Sequence, residues 1–201
     1  MILAVHRWMT VALAVLITLS ITVSAAAPAS AGEGFEFIYF PHEGIDSEFS
    51  NDWGRPRGDE GERAHKGNDI FAPKLTPVVA VADGFITFVG TTKRPGNQVR
   101  VRHANGYETF YFHLNNDTPE TDDNRGGAEY AFAPGIEQGV FVEAGTVIGY
   151  VGDSGNAERT PPHTHFELRR RGVAQNPYNY LRAMLARQKR VHDLHARLEI
   201  S

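Results

Sequence analysis

Two runs of this chain repeat with a period of two, and that repeat narrows the fold more than any other feature. In Thr109–Leu114, Thr109, Tyr111 and His113 alternate with Phe110, Phe112 and Leu114. In His163–Leu168, His163, His165 and Glu167 alternate with Thr164, Phe166 and Leu168. Successive side chains of a strand point to opposite faces, so each run reads as a strand with an apolar face and a face carrying imidazoles. For the first run this puts the aromatic rings in the core and Thr109, Tyr111 and His113 away from it. The β-branched and aromatic stretches Thr76–Ala82 and Phe85–Val89 also favour sheet, with Asp83-Gly84 read as a tight turn joining them. Val99–His103 and Tyr107–Leu114 flank Ala104-Asn105-Gly106 as a second hairpin. Phe35–Phe40, Val140–Gly149 and Tyr150–Gly152 read as further short strands bounded by glycine and proline.

The period changes near the C-terminus. Asn176 is placed to cap and Pro177 suits a first helical position, while Leu181, Met184, Leu185, Val191, Leu194 and Leu198 recur at helical spacing. An amphipathic helix over 177–201 follows, with Arg182, Arg187, Lys189, Arg190 and Arg197 on a solvated face and His192 and His195 as surface residues. The expected architecture is therefore mainly β: an antiparallel two-sheet sandwich with a central groove, plus this C-terminal helix. Asn115–Gln138, 24 residues rich in Asp, Asn, Glu and Gly, interrupts the strands as a long connection. Connections of that length in a compact domain usually serve function. Its acidic residues Asp117, Asp122 and Asp123 lack the ordered spacing of a calcium loop and read as a solvated rim.

Residues 1–31 stand apart. Arg7, the apolar run Trp8–Val23, Pro28 and the small-x-small site Ala29-Ser30-Ala31 read as a secretory signal peptide. The alternative is an uncleaved anchor, since the apolar run approaches the roughly 18 residues that begin to span a bilayer. Cleavage would remove one charged residue, Arg7, and take the formal charge from −4 to −5. Such a mild charge argues against nucleic acid as a partner. With no cysteine in the chain, an exported domain has no disulfide staple, and a metal linking distant strands is one substitute.

Candidate ligands occur in three places. His65 and Asp69 lie four apart around Gly67, His163 and His165 lie on one strand face, and His113 falls between them in the chain. Imidazole and carboxylate suit a borderline ion such as zinc. Gly67, Asn68 and Pro73 argue against a helix at the first place, but the even spacing of an extended segment also returns both side chains to one side. Singly each motif is weak. Together they put four histidines and an aspartate at strand ends or on polar strand faces.

Ordered spacing over a long stretch then brings in a resemblance. Arg63-x-His65-x-Gly67-x-Asp69, Ala72-Pro73, Thr76-Pro77-Val78-x-Ala80 and Ala82-Asp83-Gly84 resemble the first half of the lysostaphin-type (LytM-like, M23) zinc metallopeptidases. Gly96-Asn97 to Val101, His103, Gly106, Thr109, Tyr111 and His113-Leu114 are similar to its middle. Gly145, Ile148-Gly149-x-Val151-Gly152, Ser154-Gly155 and Pro162-His163-x-His165-Phe166-Glu167 are similar to its end. The resemblance runs from about Phe49 to Glu167. It implies one Zn2+ per chain held by His65, Asp69 and His165 with a fourth place for water, and it makes His113 and His163 the catalytic pair sharing proton transfer and oxyanion stabilisation. Which of the two is the base stays open.

The implied organisation is a signal or anchor over 1–31, an M23-like metallopeptidase domain over 32–176 carrying the 115–138 insertion, and the helix over 177–201. The implied activity is that of a secreted, wall-associated endopeptidase acting on stem peptides of bacterial peptidoglycan. It is expected as a monomer, touching the membrane only if its N-terminal segment is uncleaved. Leu75 stands where the family usually has Gly before Thr-Pro. Asp59 stands where members that cut pentaglycine tend to have Tyr, which favours a D-Ala–diamino acid bond over glycine bridges. Two other readings compete: a non-catalytic wall-binding or hydrolase-activating module, as in relatives that have lost ligands, and a purely structural zinc site, against which two spare histidines weigh.

Overall fold

Period-two runs do become strands, and they join one dominant sheet. The computed structural model describes residues 35–57 and 63–199. The signal or anchor read at 1–31 and the substitution at Asp59 lie outside the described residues. Along the chain come β1 (Glu48–Phe49), β2 (Pro56–Arg57), β3 (Arg63–Ala64), β4 (Asn68–Phe71), β5 (Pro77–Val79), β6 (Gly84–Thr92), β7 (Gly96–Arg102) and β8 (Tyr107–Leu114). A short helix α1 (Ala128–Ala131) precedes β9 (Phe141–Val142), β10 (Val147–Tyr150), β11 (His163–Arg170), β12 (Val173–Gln175) and the helix α2 (Tyr178–Glu199).

The large sheet is ordered β1-β4-β11-β8-β7-β6-β9, with β12 also paired to β11. Every pairing is antiparallel, and a small β5–β10 sheet and a β2–β3 ribbon complete the mainly β fold. Chain-distant β4 and β8 flank β11, which makes β11 the axis of the functional region. Ile70, Val99, Val101, Tyr111, Phe166 and Leu168 from the large sheet meet Val78 and Ile148 of the small one, with Leu181 of α2, in one apolar cluster. Burying each large apolar side chain contributes about 1.5–3 kcal/mol.

Several readings change on contact with the structure. Thr76–Ala82 and Phe85–Val89 do not pair as a hairpin. β5 pairs with β10 instead, and the Ala80 N–H donates to Thr146 O (2.9 Å) while the Gly145 N–H donates to Ala80 O (2.8 Å). Phe35–Phe40 is no strand: the amides of Ile38 and Tyr39 both donate to Val81 O, so no ladder propagates, although Phe37 and Phe40 are buried. The faces of β8 are inverted. Thr109 and Tyr111 are fully buried and Tyr111 belongs to the core cluster, whereas Phe110 and Phe112 do not. A hydroxyl is tolerated inside when it is bonded; here Thr109 Oγ1 donates to the Tyr111 hydroxyl (3.1 Å), which accepts from the Val81 N–H (3.1 Å). The β7–β8 turn forms as expected, with Asn105 and Gly106 at φ 58° and 74°.

α2 is capped as the sequence suggests, the Tyr178 N–H donating to Asn176 Oδ1 (3.0 Å). Leu181, Met184 and Leu185 pack on the core, but Val191, Leu194 and Leu198 are exposed, so the apolar period outruns the contact. Among the described residues no helix is long and apolar enough to cross a membrane.

Candidate metal and catalytic site

Register brings the candidate residues together. In the β11–β4 pairing His165 stands opposite Asp69, and in the β11–β8 pairing it stands opposite Phe112, one residue before His113. Directly opposed residues have Cβ atoms roughly 5 Å apart, so short side chains on one face must meet. His65 arrives from the link between β3 and β4. Gly67 makes the approach possible, since a Cβ there would lie 2.2 Å from Phe166 O and 3.0 Å from His165 Nε2.

Three donor atoms converge. His65 Nε2 lies 3.1 Å from Asp69 Oδ1, His165 Nδ1 lies 2.9 Å from the same oxygen, and the two ring nitrogens are 2.8 Å apart. The outward nitrogens are held by acceptors. His65 Nδ1–H donates to Asp52 O (3.0 Å) and faces Asp52 Oδ2 (3.2 Å), and His165 Nε2–H donates to Glu167 Oε1 (3.2 Å). With protons drawn outward, both inner nitrogens present lone pairs to each other and to a carboxylate, an arrangement reconciled by a bound cation or by protonation of a ring, with the Arg57 guanidinium 3.3 Å from His65 Nε2 already serving one of them. Tetrahedral zinc with bonds near 2.0–2.1 Å sets its ligands about 3.3 Å apart, close to these separations. The donor set therefore fits the ion.

Charge tells the same story. Burial opposes protonation of His65, yet hydrogen bonds donated to Asp52 and Asp69 overcome it and raise its pKa to about 9. His165 is raised too, burial again being outweighed by bonds to Asp69 and Glu167. Asp69 is driven far below the carboxylate range, its own burial being overridden by His165 and His65. The carboxylates thus demand positive charge at this point. Arg57 answers part of that demand: its guanidinium pairs with Asp69 Oδ2 and lies 3.2 Å from Asp52 Oδ2.

His113 and His163 sit beside this cluster as a pair, ring centroids 5.2 Å apart. His163 Nδ1–H donates to Pro161 O and His113 Nδ1–H to Ser154 O, each at 2.8 Å, leaving Nε2 as the free lone pair in both. His163 Nε2 is 3.9 Å from Asp69 Oδ1. Burial first, then the neighbouring His163 and His165, lowers the His113 pKa to about 3. His113 also holds φ 61°, an uncommon value for a residue with a side chain. That single left-handed residue resets the β8 alternation, so Leu114 returns to the core after Phe112 has stacked on His165 (5.5 Å between centroids). Strain of this kind concentrates at functional sites.

All five residues singled out in the sequence are brought together. Asp52 and Arg57 were not foreseen, because both act from irregular or two-residue elements where no periodic signal exists. Glu167 shares the strand face of His163 and His165, and its role as acceptor for His165 Nε2–H emerges only from the structure. Of the acidic residues of 115–138, Asp123 accepts from the Thr118 and Arg125 amides and Asp122 is exposed, but Asp117 is buried rather than on a solvated rim, and it and Asp122 pair with Lys74 and converge with Asp153. Leu75 takes φ 66°, the left-handed value that explains a glycine preference at its position.

Comparison with known proteins bears on this geometry. The profile of Peptidase family M23 matches residues 63–124 and 128–177. Among characterised relatives, a DD-carboxypeptidase/endopeptidase Mpg of Neisseria meningitidis is 43% identical over 115 residues, 57% of this chain and 22% of that protein. An L-Ala--D-Glu endopeptidase of Bacillus subtilis is 33% identical over 147 residues, 69% of this chain and 40% of that protein. The chain thus spans less than half the length of either. A putative glycyl-glycine endopeptidase lytM from Ruminococcus gnavus superposes with TM-score 0.56 at 27% identity, covering 73% of this chain and 60% of that one. The lysostaphin catalytic domain of Staphylococcus simulans gives 0.52 at 27%, covering 67% and 92%.

Proposed function

The chain belongs to peptidase family M23, and from that premise we propose that it is a zinc endopeptidase of the bacterial cell wall, acting outside the cytoplasm on peptidoglycan stem peptides. The observation that carries the reading is the convergence of His65 Nε2, Asp69 Oδ1 and His165 Nδ1 beside two further histidines whose Nε2 atoms are free. A closed structural site would not need that second pair. Relatives named as a DD-carboxypeptidase/endopeptidase and an L-Ala--D-Glu endopeptidase support the substrate class. Within it we favour the D-Ala–diamino acid cross-link over glycine bridges, on the Asp59 substitution.

In this reading His65, Asp69 and His165 hold the ion, which when bound supplies a Lewis acid and acidifies a water toward pKa about 7. The remaining work falls to the chain's own groups. Asp52 and Glu167 fix the tautomers of the two ligand histidines, so their inner lone pairs stay available. His163 and His113, tied at Nδ1, offer Nε2 to the attacking water and, once protonated, an N–H to the developing oxyanion or the leaving amine. Phe112 and Phe71 pack against His165 and His163 and keep the imidazoles in place.

The test is digestion of purified sacculi by the purified protein, with its zinc content measured in parallel. Soluble muropeptides of defined cross-link, identified by mass spectrometry, are the expected product. A folded, zinc-loaded protein that releases none would leave the non-catalytic module as the better description.

A further inference from the structure

The second half of α2 leaves the body of the protein and carries an apolar face of its own. Gln188 Nε2 donates to His42 O (3.0 Å) and to Gly44 O, and beyond it every described residue of the helix except Ala196 is exposed. Val191 is 45% exposed and Leu194 58%, with Leu198 at 71%. At about 100° per residue, the stripe of Val191 and Leu194 points about 100° away from the direction of Leu181, Met184 and Leu185, which pack on the core. It is therefore a separate face and not an extension of the docking face.

Charge is sorted around the same face. Arg182, Arg187, Lys189, Arg190 and Arg197 of α2 stand against Asp193 and Glu199, a net charge of +3, whereas 14 basic and 22 acidic residues give 32–177 a net charge of −8. The helix is a cationic limb on an acidic body, so the limb is what an anionic surface attracts. Arg187, Arg190 and Arg197 project within about 90° of the centre of the apolar stripe, while Asp193 and Glu199 lie more than about 100° from it. Arginine stems can run along an apolar phase while their guanidinium groups stay among polar headgroups. Apolar residues flanked by such arginines mark a helix that lies in a bilayer interface.

We propose that the exposed face of 187–198 docks on an anionic lipid bilayer, lying in its interface without crossing it. The inference rests on the helix alone and needs neither the peptidase reading nor any contribution from residues 1–31. A hydrated anionic polymer would satisfy the arginines but gives Val191 and Leu194 no apolar phase. A second copy paired antiparallel through this face would bring the arginines of the two helices together, like charge against like. A bilayer offers acyl chains to the apolar residues and phosphates to the arginines. It also supplies the packing that the last three turns lack, since an isolated helix of under about 12 residues is marginal in water. For a wall peptidase the consequence is one of place: hydrolysis is concentrated where wall meets membrane, and the chemistry of the cleft is untouched.

The chain has no cysteine, so a single polarity-sensitive dye can be attached at Leu194→Cys and, in a second sample, at Lys189→Cys on the opposite side of the helix. With the full chain, phosphatidylglycerol vesicles are expected to shift the emission at 194 to the blue. No shift is expected at 189, with phosphatidylcholine vesicles, or in about 0.5 M salt, which screens the attraction. Each dye reports its own surroundings, so attachment of residues 1–31 to the vesicles would not produce this pattern, and the dye at 189 controls for its own affinity for lipid. Arg190→Gln with Arg197→Gln weakens binding about thirtyfold, a factor of about five for each cation near an anionic surface. Both side chains are exposed, so the double variant should fold and cut soluble muropeptides as the wild type does. No shift at 194, or an equal shift there on both lipids, overturns the proposal. A shift at 194 that needs no vesicles and grows with protein concentration overturns it too, assigning the face to a second copy.

Discussion

Histidines are buried in two regions of this protein, and their surroundings give them opposite characters. In the core, His42 is fully buried between Ser47 Oγ (3.0 Å from Nδ1) and Thr164 Oγ1 (2.9 Å from Nε2). His103 lies between Asp83 O (2.8 Å) and Thr109 Oγ1 (2.7 Å). Both have each nitrogen met by a neutral group, and burial lowers their pKa values to about 3 and about 4. In the cleft, His65 is buried and His165 mostly so, its side chain 12% exposed, yet carboxylates on both sides of each ring outweigh burial and raise them. Burial alone therefore makes a neutral structural histidine. Carboxylates arranged around paired rings make a place for a cation.

The hardest test of that contrast is His165→Ala. It should abolish stoichiometric zinc binding and lower hydrolysis on the order of 10⁴-fold, while the fold survives because Thr164, Phe166 and Leu168 on the opposite face are untouched. His42→Ala should leave zinc content at one per chain. Zinc retained in His165→Ala, by elemental analysis, would break the division between the two regions.

His113 belongs to neither region wholly. It has the low pKa of a core histidine, but its Nε2 has no hydrogen-bond partner among the described residues. His113→Ala should keep the zinc and lose about 10²–10⁴ in kcat/KM, the range for a general acid or base. Turnover equal to wild type would return His113 to the structural class.

A milder probe acts through an outward nitrogen. Glu167→Gln keeps the shape but weakens the acceptor on His165 Nε2–H, and should weaken zinc affinity about 10–100-fold in competition with a chelator. No change would mean that Glu167 serves only Arg169, which it also pairs with at 2.5 Å.

How far this division was legible in the sequence depends on what kind of signal each residue carries. The β11 alternation read correctly, since every apolar residue of that run has nothing to offer except burial. β8 read inside out, because a pattern of polar and apolar letters cannot show that Thr109 and Tyr111 bond each other in the core, nor that His113 breaks the alternation with a left-handed backbone. The Asp83-Gly84 pair failed as a hairpin signal because Asp83 Oδ1 instead accepts the Ala144 N–H (2.7 Å), a partner 61 residues away. The convergence of His65, Asp69 and His165 was visible through spacing and family resemblance together. Asp52 and Arg57 were invisible, since their roles come from tertiary placement of short elements.

The smallest effect expected is on stability in acid, to which the core pair contributes alongside His113, whose pKa burial also lowers to about 3. Both His42 and His103 titrate below their ordinary value when folded, burial being the leading cause, with the charge of His163 adding to the effect on His42. Below about pH 6.5 the unfolded chain takes up protons at these residues while the folded chain does not, so stability falls as pH falls, down to about pH 4 for His103 and about pH 3 for His42. Each contributes on the order of 1.4 kcal/mol per pH unit in that window. Denaturant titrations of the apo protein at pH 6.5 and 5.5 measure the drop, and His103→Gln, which cannot take up a proton, should flatten it relative to wild type whatever it does to absolute stability. An unchanged slope in His103→Gln would mean that this histidine is reached by solvent and protonates in the folded state. The contrast with the cleft would then come from partner chemistry alone, without burial.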